Sequence, residues 1–351
     1  MKSFRKNLVS PGYFEYLTHC VKYLKYISHM WKALFRSSTS DLDLRFKSGG
    51  GAQIVRVIGR PGLWMAPEEL VKLVGELRGV VAASGIGDLE YGVLSGSKDR
   101  LDHAVLTVIY DAKSEKAIAF NALSIMECEL RGKPTEVLHL GLVAVDPNYR
   151  AKGMSWLLYG FTCFLLYFRN LLRPIWVSNV TQVPAIVGMT TEGFVDIFPS
   201  PTETSRRSFD HLQLARQIMK SHRHVFGVGQ DASFDEERFV IMNAYTGGSD
   251  NLKKTFAQAP KHREERYNEF CRTQLDYDRG DDIIQLGRIQ MHSMANYMIH
   301  SVPKGSWMAL FWTLLFALIT ALLLPVFQWL SPSKSMGVLR PWIPAKSPVR
   351  K

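Results

Sequence analysis

Residues 145–158 read VDPNYRAKGMSWLL, with Arg150, Gly153 and the small Ser155 set between an apolar run and a long uncharged one. Residue types in this order suit the holding of an anion. The first N–H groups of a helix have no intrahelical acceptor, and a helix N-terminus carries partial positive charge. Gly153 lets the backbone approach a ligand without a Cβ in the way. Arg150 and Lys152 add positive charge at the mouth. The plain alternative is an ordinary strand-to-helix connection.

Such a loop works only if a strand delivers it and a helix receives it. The run 135–146, TEVLHLGLVAVD, has strand character, and 151–168, AKGMSWLLYGFTCFLLYF, has helix character. Upstream, 53–59, 103–111 and 117–128 read as strands and 66–83 as a helix, with Pro67, Glu68 and Glu69 suited to its first turn. Downstream come a strand at 174–180, a short helix at 183–194, a charged helix at 205–222, a strand at 237–245 and a helix at 281–300. The order predicts a mixed α/β domain around one central sheet.

The string LGLVAVDPNYRAKGMSWLLYGF resembles the acyl-CoA-binding motif of the GNAT superfamily of N-acyltransferases, through Val145, Pro147, Tyr149, Arg150, Gly153 and Ser155. Ser155 stands where the family carries Gly or Ala. PAIVGMTTEGF resembles the family's next helix, and the likeness spans about residues 53–246. It implies a GNAT-like mixed central sheet with flanking helices and acyl-CoA or acetyl-CoA as co-substrate. The amides of Ala151, Lys152, Gly153, Met154 and Ser155 would then wrap the CoA diphosphate. The backbone groups of Val143 and Val145 would bind the pantetheine arm where the fourth and fifth strands splay.

The same resemblance assigns candidate catalytic groups. The amine must lose a proton to attack the thioester. Several members carry a Glu 14 residues before the motif glycine, and here that position is His139, whose reference pKa near 6.5 suits a base. A hydrogen-bonded core histidine is the alternative. Strict alternation puts His139 on one face with Gly141 and Val143, with Gly141 leaving open space beside it. Glu127, Glu129 and Glu136 are alternative bases or solvated edge residues, and Asn179 would bond the pantetheine or the new amide, or cap a turn. The usual acid, a Tyr four residues before the helix-ending glycine, is replaced by Met189, which cannot donate a proton.

The flanks point to a membrane. Residues 14–35 have apolar residues at helical spacing with Lys22, Lys25 and Lys32 mostly off the stripe, a pattern for an interfacial helix or for one docked on its own domain. Residues 305–333 carry no charge and are long enough to cross a bilayer. The tail after them is basic, which by the positive-inside rule places it in the cytoplasm and the main domain outside. Use of a cytosolic co-substrate argues the reverse, and Pro325 would let the segment bend and re-enter. The expected organisation is a basic amphipathic segment at 1–46, a linker at 47–52, the acyltransferase domain at 53–246, a polar connector at 247–304, a transmembrane or re-entrant segment at 305–333 and a basic tail at 334–351. The expected location is a membrane, through a single C-terminal anchor, with the catalytic domain on the cytoplasmic side.

The chain has 351 residues and a formal net charge of +11. No nucleic-acid reader motif accompanies that charge. Cys20, Cys128, Cys163 and Cys271 form no CxxC pair, and SHRHVFGVG at 221–229 has no companion ligands, so no metal is expected. No secretory leader is read, which points to a reducing compartment. The expected activity is acyl transfer to a primary amine, foremost an amphiphilic one such as a sphingoid base, as in bacterial ceramide synthases. The alternatives are a membrane-anchored acetyltransferase of protein or small polar amines, and a non-catalytic scaffold of the same fold.

Overall fold

The computed structural model describes residues 42–48, 51–87, 89–149, 154, 156–292 and 315. The chain divides into two compact units, Met1–His300 and Ser301–Lys351, and the account below concerns the first. The expected interfacial helix at 14–35, the apolar segment at 305–333 and the basic tail lie outside the described residues, Leu315 apart. Among the described residues no helix is long and apolar enough to cross a membrane.

Eleven strands form one mixed sheet: β1 (Leu42–Ser48), β2 (Gln53–Gly59), β3 (Ala104–Asp111), β4 (Ala117–Leu130), β5 (Lys133–His139), β6 (Val143–Val145), β7 (Ile175–Thr181), β8 (Val195–Phe198), β9 (Ser233–Asp235), β10 (Val240–Met242) and β11 (Asp282–Ile289). The path across it is β1-β2-β3-β4-β5-β7-β11-β10-β9, with β6 on β4 and β8 on β11. The β5–β7 pair alone is parallel; the other pairings are antiparallel. Arg131 and Gly132 both hold positive φ between β4 and β5, the backbone that a two-residue hairpin turn requires.

Helices cover both faces. α1 (Pro67–Ser84) starts on Pro67 and buries Leu73, Val74, Leu77, Val80 and Val81. α2 (Thr162–Arg169) continues a π-helical turn at Trp156–Phe161. α3 (Pro184–Gly193), α4 (Phe209–Gln217) and α5 (Glu265–Gln274) follow. Most of the uncharged run before and through α2 is covered: Leu157, Leu158, Cys163, Leu165, Leu166 and Tyr167 are buried against the sheet, and Phe164 is exposed.

Three expectations change. Residues 282–289 form β11, a strand between β7 and β10, where a helix at 281–300 was expected. Layers cover both of its faces, so its apolar residues run on without the alternation that marks a half-exposed strand. The sheet also begins before 53. Leu42, Leu44 and Phe46 alternate with polar residues, and β1 pairs with β2 from Leu42↔Gly59 to Ser48↔Gln53, across the expected linker. Third, the strand expected at 135–146 is broken. His139 opposes Ser124 and Val143 opposes Asn121, so one extra residue on this strand makes a bulge at 140–142.

Candidate active site

The bulge is built by its own residues. The Leu142 carbonyl accepts the Ala122 N–H, and the Leu140 N–H donates to Ser178. A Cβ on Gly141 would lie 2.2 Å from the Ala122 carbonyl oxygen, so only glycine fits. Gly141 thus serves backbone contact with β4, where the sequence suggested open space beside His139. The bulge also breaks the alternation expected for the strand. Val143 and Val145 pack on the α2 side, whereas the His139 ring lies 5.2 Å from Phe226 on the opposite face.

Pairing of β5 with β7 stops at His139↔Ser178, and β6 then follows β4 alone. The two strands part here. In an antiparallel ladder the hydrogen-bonding groups of successive residues point to alternate sides. The Leu142 carbonyl and the Asp146 N–H bond β4, so Val143 and Val145 turn their amides and carbonyls toward the gap. A strand-like ligand with amide groups, such as a pantetheine arm, fits that edge.

β6 leaves through a tight turn. Asp146 accepts from the Asn148 backbone and side chain, and the Tyr149 N–H donates to the Asp146 carbonyl. Arg150, Ala151, Lys152, Gly153 and Ser155 lie outside the described residues. Met154 is buried, and its carbonyl accepts the Leu157 and Leu158 N–H groups. A polar pin holds the helix that follows. Thr162 Oγ1 lies 2.6 Å from Thr107 Oγ1, and Asn121 Nδ2 donates to the Leu158 carbonyl at 2.5 Å. Tyr159 sends its hydroxyl back to the Gly141 carbonyl at 3.3 Å.

His139 is 3% exposed and shares a 3.0 Å Nδ1–Oγ hydrogen bond with Ser178. Burial pushes its pKa down to about 4. Glu127 lies elsewhere, with its side chain 64% exposed and 4.0 Å from His103. Both Glu127 and Ser124, the β4 partner of His139, line a cavity of about 200 Å³ with Asp99, Arg100, His103, His222 and His224. It opens where β4 runs on past the start of β3. His222 donates Nε2–H to the Glu127 carbonyl at 3.0 Å. Burial lowers the His224 pKa. Glu136 is engaged by Arg60 at 2.8 Å, and the Glu129 backbone bonds the Gln217 side chain.

Asn179 takes no part in this cluster. It donates to Gln285 at 3.3 Å, and Gln285 in turn reaches Thr191 and the Pro199 carbonyl. Among the described residues no group of three or more His, Cys, Asp or Glu is placed to hold a metal. Ser178, Phe226 and Tyr159 had no sequence signal of their own, since each gains its place through pairing between distant segments.

No family model and no curated protein sequence matches the chain. Solved structures similar to it include a ribosomal-protein-S5-alanine acetyltransferase from Vibrio fischeri. It is 18% identical over 44% of this chain and 84% of that one, at a TM-score of 0.30. An acetyltransferase of GNAT family from Streptococcus pneumoniae is 14% identical over 44% and 93%, at 0.27. A Trypanosoma brucei acetyltransferase is 19% identical over 32% and 73%, at 0.22.

Proposed function

We propose that this chain is a membrane-associated GNAT-type N-acyltransferase, moving an acyl group from acyl-CoA to a primary amine. The observation that carries the reading is the bulge at Gly141 and the parting of β6 from β7, directly before the turn into α2. Among the described residues, that gap leaves the strand amides of Val143 and Val145 facing a pantetheine arm. It also brings the thioester to the level of the bulge, between the α2 face and the His139 face. Amides there would stabilise the tetrahedral oxyanion.

Two cavities bear on the substrates. On the α2 face, one of about 430 Å³ is lined by Ile125, Leu138, Leu166, Ile175 and Trp176, with Arg173 and Glu136 among its polar residues. It suits a long acyl chain continuing past the thioester. Leu171 and Leu172, 52% and 42% exposed, follow α2 and give an apolar surface beside it for a bilayer. These features favour an amphiphilic system worked at a membrane.

The cavity beside Glu127 supports the second reading, a small cationic amine as acceptor, because the carboxylates of Asp99 and Glu127 line it, alongside Arg100 and three imidazoles. The discriminating experiment uses the full chain in detergent micelles with palmitoyl-CoA or acetyl-CoA, and with sphinganine or spermidine, following free thiol. Turnover of palmitoyl-CoA with sphinganine is expected. Turnover confined to acetyl-CoA and spermidine would replace the first reading by the second, and acyl-CoA binding with no turnover of any pair would leave only a scaffold.

A further inference from the structure

The eight large apolar side chains exposed among the described residues are unevenly spread. Six of them gather at the end of the sheet where β4 turns into β5. Gly59 ends β2 there, opposite Val105 at the start of β3, and the turn Pro61–Trp64 that follows exposes Leu63 and Trp64. Ile175 starts β7 at the same end, opposite Ile289, the last residue of β11. Leu171 and Leu172 precede β7, and Met291 follows β11. Phe209 belongs with them, because its neighbour Asp210 takes Arg131 at the tip of the β4–β5 hairpin. The opposite end, where residues 111–116 join β3 to β4, carries none of the eight.

The backbone itself exposes Leu171 and Leu172. Both hold positive φ, a region that a β-carbon disfavours, and the chain keeps it at two successive leucines. Charged groups stand between the apolar tips. Arg60 holds Glu136, Arg131 holds Asp210, and Lys133 and Arg173 are exposed. Apolar side chains on four separate segments, with Trp, Lys and Arg among them, suit a fluid interface. There the apolar tips enter the acyl layer and the cations reach headgroup phosphates. A folded partner would have to match all four segments at once. The sequence past Met291 points the same way, since the run 305–333 is uncharged and long enough to cross a bilayer.

The cavity of about 430 Å³ lies at this end as well. Pro134, Arg173 and Pro174, all exposed, line it, and its lining runs inward to Leu138, just before the bulge at 140–142. The gap between β6 and β7 opens the other way, past His139↔Ser178. We propose that this end of the sheet is the surface by which the unit rests on a lipid bilayer. CoA is then reached from water at the gap, and a long acyl tail runs through the cavity toward lipid, the course of the tail resting on the acyltransferase reading above.

The test places one NBD dye at a time on the full chain, in vesicles of phosphatidylcholine and phosphatidylglycerol that carry lipid spin-labelled near the headgroup. Cys20→Ser leaves Cys128, Cys163 and Cys271, which are buried and closed to the reagent. Dye on Leu63→Cys, Leu171→Cys or Met291→Cys should lose most of its emission to the quencher, and dye on Lys113→Cys, at the opposite end, should keep it. Three sites on separate segments serve if one variant fails to fold. Unquenched emission at all four sites of vesicle-bound protein, or equal quenching at all four, overturns the docking surface. Blue-shifted emission without quenching, together with a doubled mass of the protein in detergent, assigns this end to contact between two copies and overturns it too. Protein that stays off the vesicles overturns the surface and the membrane part of the reading above. Transfer from palmitoyl-CoA to sphinganine is followed on the unlabelled chain. Docking by this end without turnover overturns the acyltransferase reading and the course of the tail, and leaves the surface in place.

Discussion

His139 illustrates how burial rewrites a side chain's chemistry. Its reference pKa of 6.5 suits a base, but in the fold burial takes it to about 4 while Ser178 holds Nδ1. A group is most effective in proton transfer when its pKa lies near the working pH, so at neutral pH the ring acts through its hydrogen bond. The sign of its effect on stability follows. Between about pH 6.5 and 4 the unfolded chain binds a proton that the folded chain does not. Stability that is full above 6.5 is therefore lost as pH falls toward 4. His139→Asn should flatten the fall of melting temperature over that window. Parallel curves for wild type and variant would show that His139 contributes none of it. Asp282 has the opposite sign. Its folded pKa is raised, so its contribution is largest below the unfolded value of 3.8 and is lost as pH rises toward 7.

At the level of elements, the β5–β6 bulge and the helix behind it act together. Gly141 lies against the Ala122 carbonyl, and that same backbone presents Val143 and Val145 to the gap and its own carbonyl to Tyr159. Gly141→Ala must push β6 away from β4. A loss of about 1–3 kcal/mol is expected, as for other overpacked sites, with weaker acyl-CoA binding. Unfolding curves and titration with palmitoyl-CoA would show both, and unchanged binding would separate the bulge from the co-substrate. The π-helical turn at Trp156–Phe161 has an identifiable cause. Thr162 donates to the Leu157 carbonyl at 3.3 Å, five residues back, and Asn121 takes the Leu158 carbonyl. Such turns open the i→i−4 ladder and recur at functional sites.

Across the whole unit, residues 199–281 connect β8 to β11 and on the way add β10 and β9 to the edge of the sheet. That segment supplies α4 and Phe226, which cover the His139 face, and His222 and His224, which line the cavity beside Glu127. The opposite face keeps the 430 Å³ cavity beside α2, lined by Leu138, Leu166 and Ile175 together with Glu136 and Arg173. Ile175→Trp should fill part of that cavity and lower kcat/KM for palmitoyl-CoA at least tenfold relative to acetyl-CoA. An unchanged ratio would move the acyl chain elsewhere. Much of this architecture was legible in the sequence. β2, β3 and β4, α1, β7 and α3 carry regular periodicity and end signals such as Pro67 and Pro184, because local backbone preference and one-sided burial leave a mark on residue order. The glycine in LGLVAV and the run into α2 were legible for the same reason. The bulge was not, since a glycine in a strand does not say which carbonyl it must clear. Nor was β11, whose burial on both faces erased alternation. His139, Ser178 and Tyr159 come from three separate elements. Residue types and motif register alone named the candidates, His139, Glu127 and Asn179. Only the tertiary structure decided their surroundings, because desolvation and hydrogen-bond partners depend on which distant segments close over them.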